Sequence, residues 1–431
     1  MIVRPKLFSF FAGTGFLDLG FESSGFDIVY VNEINPSYME AYRYSRQVLN
    51  LPLPEYGYHY ADNGNVEQLT EGEKALRLWY LIQDARKSTD IVGFLGGPPC
   101  PDFSVGGKNR GKDGDNGKLS AAYVELICQH QPDFFLFENV KGLWKTKKHR
   151  LFFEQLKEKL NQSGYLLTER LINAIEYGVP QDRERIILLG FRKSLIREIK
   201  LPVEQNEKFI PEGIFPWKTY ILYPKPTVFS YPWSTTDTFQ ENSHLPCSNQ
   251  IIQELTVEYW FRQNDVLNHP NAQHHFKPRA GLKRFLSVAE GDDSRKSYKR
   301  LHRWRYSPTA CYGNNEVHLH PYKARRLSVA EALAIQSLPK TFILPDKMSL
   351  TNMFKTIGNG VPYLASKAIA HSILDFLSTS EWHYEQPSQK QLELSGWTQL
   401  KLTVEIREQG TGNRELLMLL LPNWDRRIGV K

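Results

Sequence analysis

The run Ile91-Val92-Gly93-Phe94-Leu95-Gly96-Gly97, closed by Pro98-Pro99-Cys100, constrains this chain of 431 residues more than any other stretch. Its apolar residues read as a strand, and two prolines that cannot extend a ladder stop it. Cys100 therefore stands at a strand end, opening onto the polar, glycine-rich loop from Asp102 to Lys118. Open α/β sheets place their chemistry at such ends, so Cys100 reads as a nucleophile. An isolated cysteine is more often a buried structural one, and what reverses that reading is the ordered company of the next eighty residues.

Phe134-Phe135-Leu136-Phe137 is a second apolar strand, ending in Glu138-Asn139. Further on, Gln181-Asp182-Arg183-Glu184-Arg185 leads into Ile186-Ile187-Leu188-Leu189. Arginines two apart in a strand point to one face, so a thiol, a carboxylate and a guanidinium can meet at one rim. Upstream, Leu7 to Phe10 runs into Phe11-Ala12-Gly13-Thr14-Gly15, and Ile28 to Val31 ends in Asn32-Glu33. An acid about twenty residues after a glycine turn suits a cofactor whose polar part approaches bare backbone and whose ribose hydroxyls need an acceptor.

Strand and helix patterns alternate to about Arg192, as a doubly wound sheet requires. Helices are expected over Gly72–Arg86, Leu119–Gln129 and Leu151–Ser163, and another from Leu327, opened by the capping pair Ser328 and Glu331. From Lys193 to Lys323 the texture changes to aromatics, prolines and basic residues. Its second half sets ten basic side chains, Lys299, Arg300 and Arg303 among them, against Glu290, Asp292 and Asp293. Such an excess reads as a surface that tracks phosphates.

A hydrophobic content of 41% supports a full α/β core with a second domain, and the formal charge of +7 suits a polyanion. Cys100, Cys128, Cys247 and Cys311 have no zinc-like spacing, so a reduced protein without a metal is expected. No apolar run approaches a membrane span, and a cytoplasmic location is expected.

Taken in order, these segments resemble the DNA (cytosine-5) methyltransferases of bacterial restriction-modification systems. The likeness is carried by Phe11-Ala12-Gly13-Thr14-Gly15, Asn32-Glu33, Pro99-Cys100, Glu138-Asn139-Val140, Gln181 to Arg185, Arg325 to Ala332 and Ile357-Gly358-Asn359-Gly360-Val361-Pro362. It implies an α/β, doubly wound mixed sheet of the S-adenosylmethionine-dependent methyltransferase fold with an inserted smaller target-recognition domain. The implied divisions are 1–192 and 324–378 for the catalytic domain, 193–323 for recognition, and 379–431 for an extension the family does not require. S-adenosylmethionine would lie against Phe11, Gly13, Gly15, Glu33, Ile34, Asn65, Pro99, Asn359 and Val361. Double-stranded DNA would meet Ser104, Lys108, Arg110, Lys299, Arg300 and Arg303. A monomer, associated with the nucleoid through its DNA and accompanied by an independently acting restriction endonuclease, completes the expectation.

The chemistry explains the set. Cytosine C5 is a weak nucleophile until a thiolate adds at C6, the role the resemblance implies for Cys100. Glu138 would stabilise the charge that develops at N3, and Arg185, or second Arg183, would act at O2. The base must leave the duplex to be reached, and the 102–118 loop is expected to close over it. The chain departs from the family at Pro101, where glutamine usually follows the cysteine, at Phe16, where a small residue is usual, and near the adenine edge, where Asn65 fits the register and Asp62 lies close. A tRNA-methylating enzyme of the same fold and a catalytically silent DNA-binding relative are the competing readings. The long basic segment opposes the first, and the intact Cys100, Glu138 and Arg185 oppose the second.

Overall fold

The computed structural model describes residues 4–89, 91–99, 115–199, 201, 207–278, 281–295, 297–312 and 316–378. Cys100, the loop residues Ser104, Lys108 and Arg110, and the extension beyond residue 378 lie outside them.

In chain order the first half comprises β1 (Lys6–Phe10), α1 (Phe16–Glu22), β2 (Asp27–Asn32), α2 (Pro36–Val48), β3 (Tyr58–His59), α3 (Gly72–Ala85), β4 (Val92–Gly96), α4 (Asp115–His130) and β5 (Phe134–Val140). There follow α5 (Lys141–Lys145), α6 (Lys147–Gln162), β6 (Tyr165–Asn173), β7 (Gln181–Asp182) and β8 (Glu184–Arg192). Seven strands form one sheet in the order β3-β2-β1-β4-β5-β8-β6. The strands from β3 to β5 are parallel, whereas β8 runs antiparallel to both β5 and β6.

Alternation along the strands sorts side chains between two cores. Leu7, Ile28, Val31 and Leu136 face the core that also takes Phe21 of α1. Phe8, Phe10, Val29, Phe94 and Phe137 face the opposite core, with Leu78 and Ile82 of α3 and Tyr123 and Ile127 of α4. Each fully buried aromatic or branched side chain stabilises the sheet by about 1.5–3 kcal/mol. Because α1 leaves β1 on one face and α4 leads off toward the other, the order in which strands are added reverses between the parallel neighbours β1 and β4. A cleft at the carboxyl ends of those strands follows from that topology.

The second half comprises α7 (Lys193–Glu198), α8 (Lys225–Ser230), α9 (Val257–Gln263), α10 (Leu282–Ser287), β9 (Ser307–Pro308), α11 (Val329–Ile335), α12 (Leu350–Asn359) and α13 (Tyr363–Ser378). The sheet's core extends past residue 192: Leu195, Ile196, Leu201, Ile210 and Phe215 pack with Phe191 and with Phe376 of α13. Val257, Phe261, Leu301 and Tyr312 share a third core with α11, α12 and Phe16. The long segment is thus anchored at both ends to cores shared with the rest of the chain.

Helix α4 begins four residues before the expected Leu119, and α6 four before Leu151, since polar first turns carry no apolar period to mark them. At α11 the capping box is present: Ser328 Oγ accepts from Glu331 N at 3.3 Å, and Ser328 N donates to Glu331 Oε2 at 2.8 Å.

Candidate active site

Glu138 lies near the end of β5, and the antiparallel register of β8 sets Val140, the last residue of that strand, opposite Arg185. That offset brings Arg185 Nε to 3.0 Å from Glu138 Oε1. Glu138 is 8% exposed. Burial pushes its carboxyl above the usual range, against the opposing pull of Arg185 and then Arg183. A carboxyl biased toward its protonated form beside a guanidinium can donate to a ring nitrogen and stabilise charge there.

The chain leading to Cys100 comes up against this carboxyl. A Cβ on Gly97 would stand 3.0 Å from Glu138 Oε2, so glycine permits the approach. Asn139 Nδ2 donates to Pro98 O at 3.4 Å, which braces the turn, and Pro99 is exposed.

Arg183 does not join the pair at Glu138 as a second pocket arginine. Its side chain is fully buried, and it donates through Nη1 to Ala310 O at 3.0 Å and through Nη2 to Gly358 O at 2.8 Å and Gly360 O at 3.1 Å. Both of its terminal nitrogens are committed to backbone, and Arg185 is the arginine that faces Glu138.

The glycine turn after β1 is held from two sides. Glu33, at the end of β2, accepts from Gly13 N through Oε2 at 2.9 Å and from Asn35 N through Oε1 at 2.8 Å. Phe11, Gly13 and Gly15 all have left-handed backbone, with φ of 54°, 58° and 79°. A non-glycine residue is strained in that region, so Phe11 is a fixed feature of the loop. Beneath the turn, Asp18 accepts from Ser9 and Tyr42, each at 2.8 Å. Arg46 donates to Thr14 O at 3.2 Å, Gly15 O at 2.7 Å and Glu22 Oε2 at 2.9 Å. Sequence reasoning passed over Arg46, because the carbonyls it serves lie some thirty residues away and leave no local pattern.

Other expected cofactor contacts gather at the same edge. Ile34 is 57% exposed beside Glu33. The 61–65 turn packs on Glu33, since a Cβ on Gly64 would lie 2.7 Å from Glu33 O, and Asn65 caps the next turn by accepting from Glu67 N at 3.0 Å. From the closing half, Thr356 Oγ1 lies 3.1 Å from Thr14 Oγ1, Asn359 is exposed and Val361 is buried. Phe16, unusual for its position, is accommodated by Gly360, whose Cβ would fall 2.3 Å from the ring. A loop with bare backbone, a carboxylate at its centre and an exposed aliphatic at its rim fits a nucleoside bearing a charged tail.

The phosphate-tracking expectation for Arg300 and Arg303 is overturned. Arg300 is fully buried; its Nε donates to Val288 O at 2.8 Å, its terminal nitrogens to the carbonyls of Phe285, His320 and Lys323, and its guanidinium lies over the Phe239 ring. Arg303 is buried against Glu290, with Nη2 to Oε2 at 2.7 Å. The three acids of that stretch each hold an arginine, for Asp293 meets Arg305 at 2.8 Å and Asp292 meets Arg295 at 3.8 Å. Much of the basic excess therefore ties the segment together, as an irregular region whose described helices are all short requires. Lys299 remains partly exposed. Two lysines the sequence reading did not single out, Lys141 and Lys225, flank Glu184 at the rim beside Arg185; Lys225 Nζ lies 2.6 Å from Glu184 Oε1, and Lys141 contacts Oε2.

Among the described residues no cluster of three acids, histidines or cysteines could hold a metal ion, and no helix is long and apolar enough to cross a membrane.

Similarity to known proteins extends over nearly the whole described chain. The fold resembles the crystal structure of S. pombe Dnmt2 methyltransferase with a TM-score of 0.52 at 14% identity, covering 86% of this chain and 99% of that one. The Type II methyltransferase M.FnuDI of Fusobacterium nucleatum is 28% identical over 394 residues, 90% of this chain and 99% of its own length. The Type II methyltransferase M.NmeDI of Neisseria meningitidis serogroup C is 57% identical over 383 residues, 89% of this chain and 86% of its own. Residues 6–375 match the family model described as C-5 cytosine-specific DNA methylase. The sheet order, the Glu138–Arg185 pair and this match lead to one conclusion: the chain belongs to the C-5 cytosine-specific DNA methylase family.

Proposed function

We propose that this enzyme is the modification methyltransferase of a type II restriction-modification system, transferring a methyl group from S-adenosylmethionine to C5 of a cytosine flipped out of duplex DNA. The observation that carries the reading is the buried Glu138–Arg185 pair standing against Gly97, three residues before Cys100. Cys100, as thiolate, adds to cytosine C6 and makes C5 nucleophilic. Glu138 holds N3 through its carboxyl proton as electron density reaches that atom, and Arg185 steadies O2. After transfer, loss of the C5 proton and expulsion of the thiolate restore the aromatic ring.

Gly13, Gly15 and Phe11 would seat the cofactor, with Glu33 accepting from the ribose hydroxyls and Ile34, Asn65, Pro99, Asn359 and Val361 completing its enclosure. When bound, S-adenosylmethionine supplies an electrophilic methyl group. Ser104, Lys108 and Arg110 would meet DNA from the loop after Cys100, and Lys299 from the recognition segment. Lys141 and Lys225 add positive charge at the rim for a phosphate. The protein acts as a monomer, and its companion endonuclease works separately.

The test is incubation with tritiated methyl donor and either duplex DNA or tRNA, followed by bisulfite sequencing of DNA from cells expressing the protein. Label is expected in DNA alone, at one short sequence. Cys100→Ser should abolish transfer and trapping on 5-fluorocytosine DNA while duplex binding survives. Label in tRNA, or trapping by Cys100→Ser, would overturn the reading.

A further inference from the structure

Arg183 occupies an unusual position for a fully buried arginine, since among the described residues no carboxylate lies within ion-pair distance of it. Burial lowers its pKa to about 9. What satisfies its terminal nitrogens is backbone from two regions far apart in sequence: Ala310 O on one side, and Gly358 O and Gly360 O on the other. Its own main chain is tied as well, N donating to Asn173 Oδ1 at 3.1 Å and the carbonyl accepting from Ala174 N at 2.9 Å.

Each region belongs to a different half of the site. Ala310 follows β9, the point where the long segment after β8 returns to the catalytic half, and β9 pairs in parallel with β7 through Gln181 and Ser307. Thr309 Oγ1 donates to Asp182 O at 2.6 Å. Gly358 to Gly360 close α12, whose Thr356 touches the glycine turn at Thr14. Gln181 repeats the same bridging, accepting from Ala310 N at 3.0 Å and donating to Gln336 Oε1 at 3.1 Å. Two residues beyond Arg183 in the strand is Arg185, on Glu138.

We propose that Arg183 is a positioning residue that links the cofactor side of the cleft and the DNA-engaging segment to the Glu138–Arg185 pair, so that occupancy of one side favours occupancy of the other. The inference rests on the function proposed above. A guanidinium is a rigid planar fork, and a buried donor left without its acceptor is costly. Displacing the 309–312 segment or the 358–360 turn alone would strand one arm of that fork, so the two move together. Two ligands that each favour one shared arrangement bind cooperatively, and the coupling is reciprocal.

The experiment measures the affinity of sinefungin, a non-reactive analogue of the methyl donor, by calorimetry with and without a saturating duplex bearing the sequence mapped by bisulfite sequencing. In the wild type the duplex should tighten sinefungin binding by about fivefold or more. In Arg183→Met that ratio should fall toward one, and Arg183→Lys, which keeps the charge and can reach part of the carbonyl set, should restore it partly. The single-turnover rate should fall in parallel, with the salt dependence of DNA binding unchanged. A folded Arg183→Met with the wild-type ratio overturns the proposal, as does a wild-type ratio of one. Loss of cooperative melting in both variants also overturns it, because the clamp would then be a stability element only. Wild-type protein that methylates no DNA sinks the proposed function and this inference with it; an active wild type with an undiminished ratio in the variants sinks the linkage alone.

Discussion

Arg185 Nε meets Glu138 Oε1 at 3.0 Å across the β5–β8 pair, and the carboxyl it meets is buried. Burial raises the carboxyl's pKa and the guanidinium moderates that rise, which leaves a group able both to donate a proton and to tolerate its loss. Glu138→Gln removes the titrating proton and should slow methyl transfer by about 10²–10⁴-fold, with cofactor affinity unchanged. Rising pH deprotonates Glu138 above its raised pKa, so the wild-type single-turnover profile should descend on its alkaline side. An identical descending limb in Glu138→Gln would assign it to another group.

Glu33 divides its two oxygens between Gly13 N and Asn35 N, so its removal reaches the loop as well as the ligand. Glu33→Ala should weaken methyl-donor binding by about 1.5–3 kcal/mol, the range for a lost charge-assisted hydrogen bond. Calorimetry showing wild-type affinity would place the ribose acceptor elsewhere.

In the segment from Lys193 to Lys323, stability and DNA contact should separate by residue. The Arg303–Glu290 pair is 5% and 3% exposed at its side chains. Arg303→Ala strands a buried carboxylate and should cost about 3–5 kcal/mol in denaturant unfolding. Lys299→Ala should leave stability within about 0.5 kcal/mol yet reduce the salt slope of DNA binding by about one. A slope unchanged by Lys299→Ala would mean that this side chain meets no phosphate.

His318 is buried with its ring edge-on to Tyr312, and burial lowers its pKa from 6.5 to about 3, with Lys299 adding to the effect. The unfolded chain takes up a proton below pH 6.5 where the folded protein does not. The stability this group contributes is therefore complete above pH 6.5 and is lost as pH falls toward 3. From pH 7 to pH 5 the loss is about 2 kcal/mol, and His318→Gln should show a correspondingly shallower decline in chemical denaturation. Equal declines in the two proteins would remove His318 from the account.

Much of this architecture is legible in the residues themselves, since periodicity, proline stops and caps act over a few positions. The strand before Pro98, the Ser328–Glu331 box and the order of the motifs are of that kind. The starts of α4 and α6 were not, because a polar first turn has no apolar signature.

The partners of the arginines were decided only by the tertiary structure. Arg183 and Arg185 stand two apart in one motif, yet one clamps the backbone at Ala310, Gly358 and Gly360 while the other pairs with Glu138. Arg300 and Arg303 belong to a basic stretch that reads as a DNA-facing surface, yet folding turns both inward, onto carbonyls and onto Glu290. Arg46 carries no local mark of its role beneath Gly15. Sequence spacing determines which residue types are available at a strand end. Which acceptors come within about 3 Å of a long, flexible, charged side chain depends on segments outside its own local sequence, for Arg183 on Ala310 and Gly358, and packing alone brings those together.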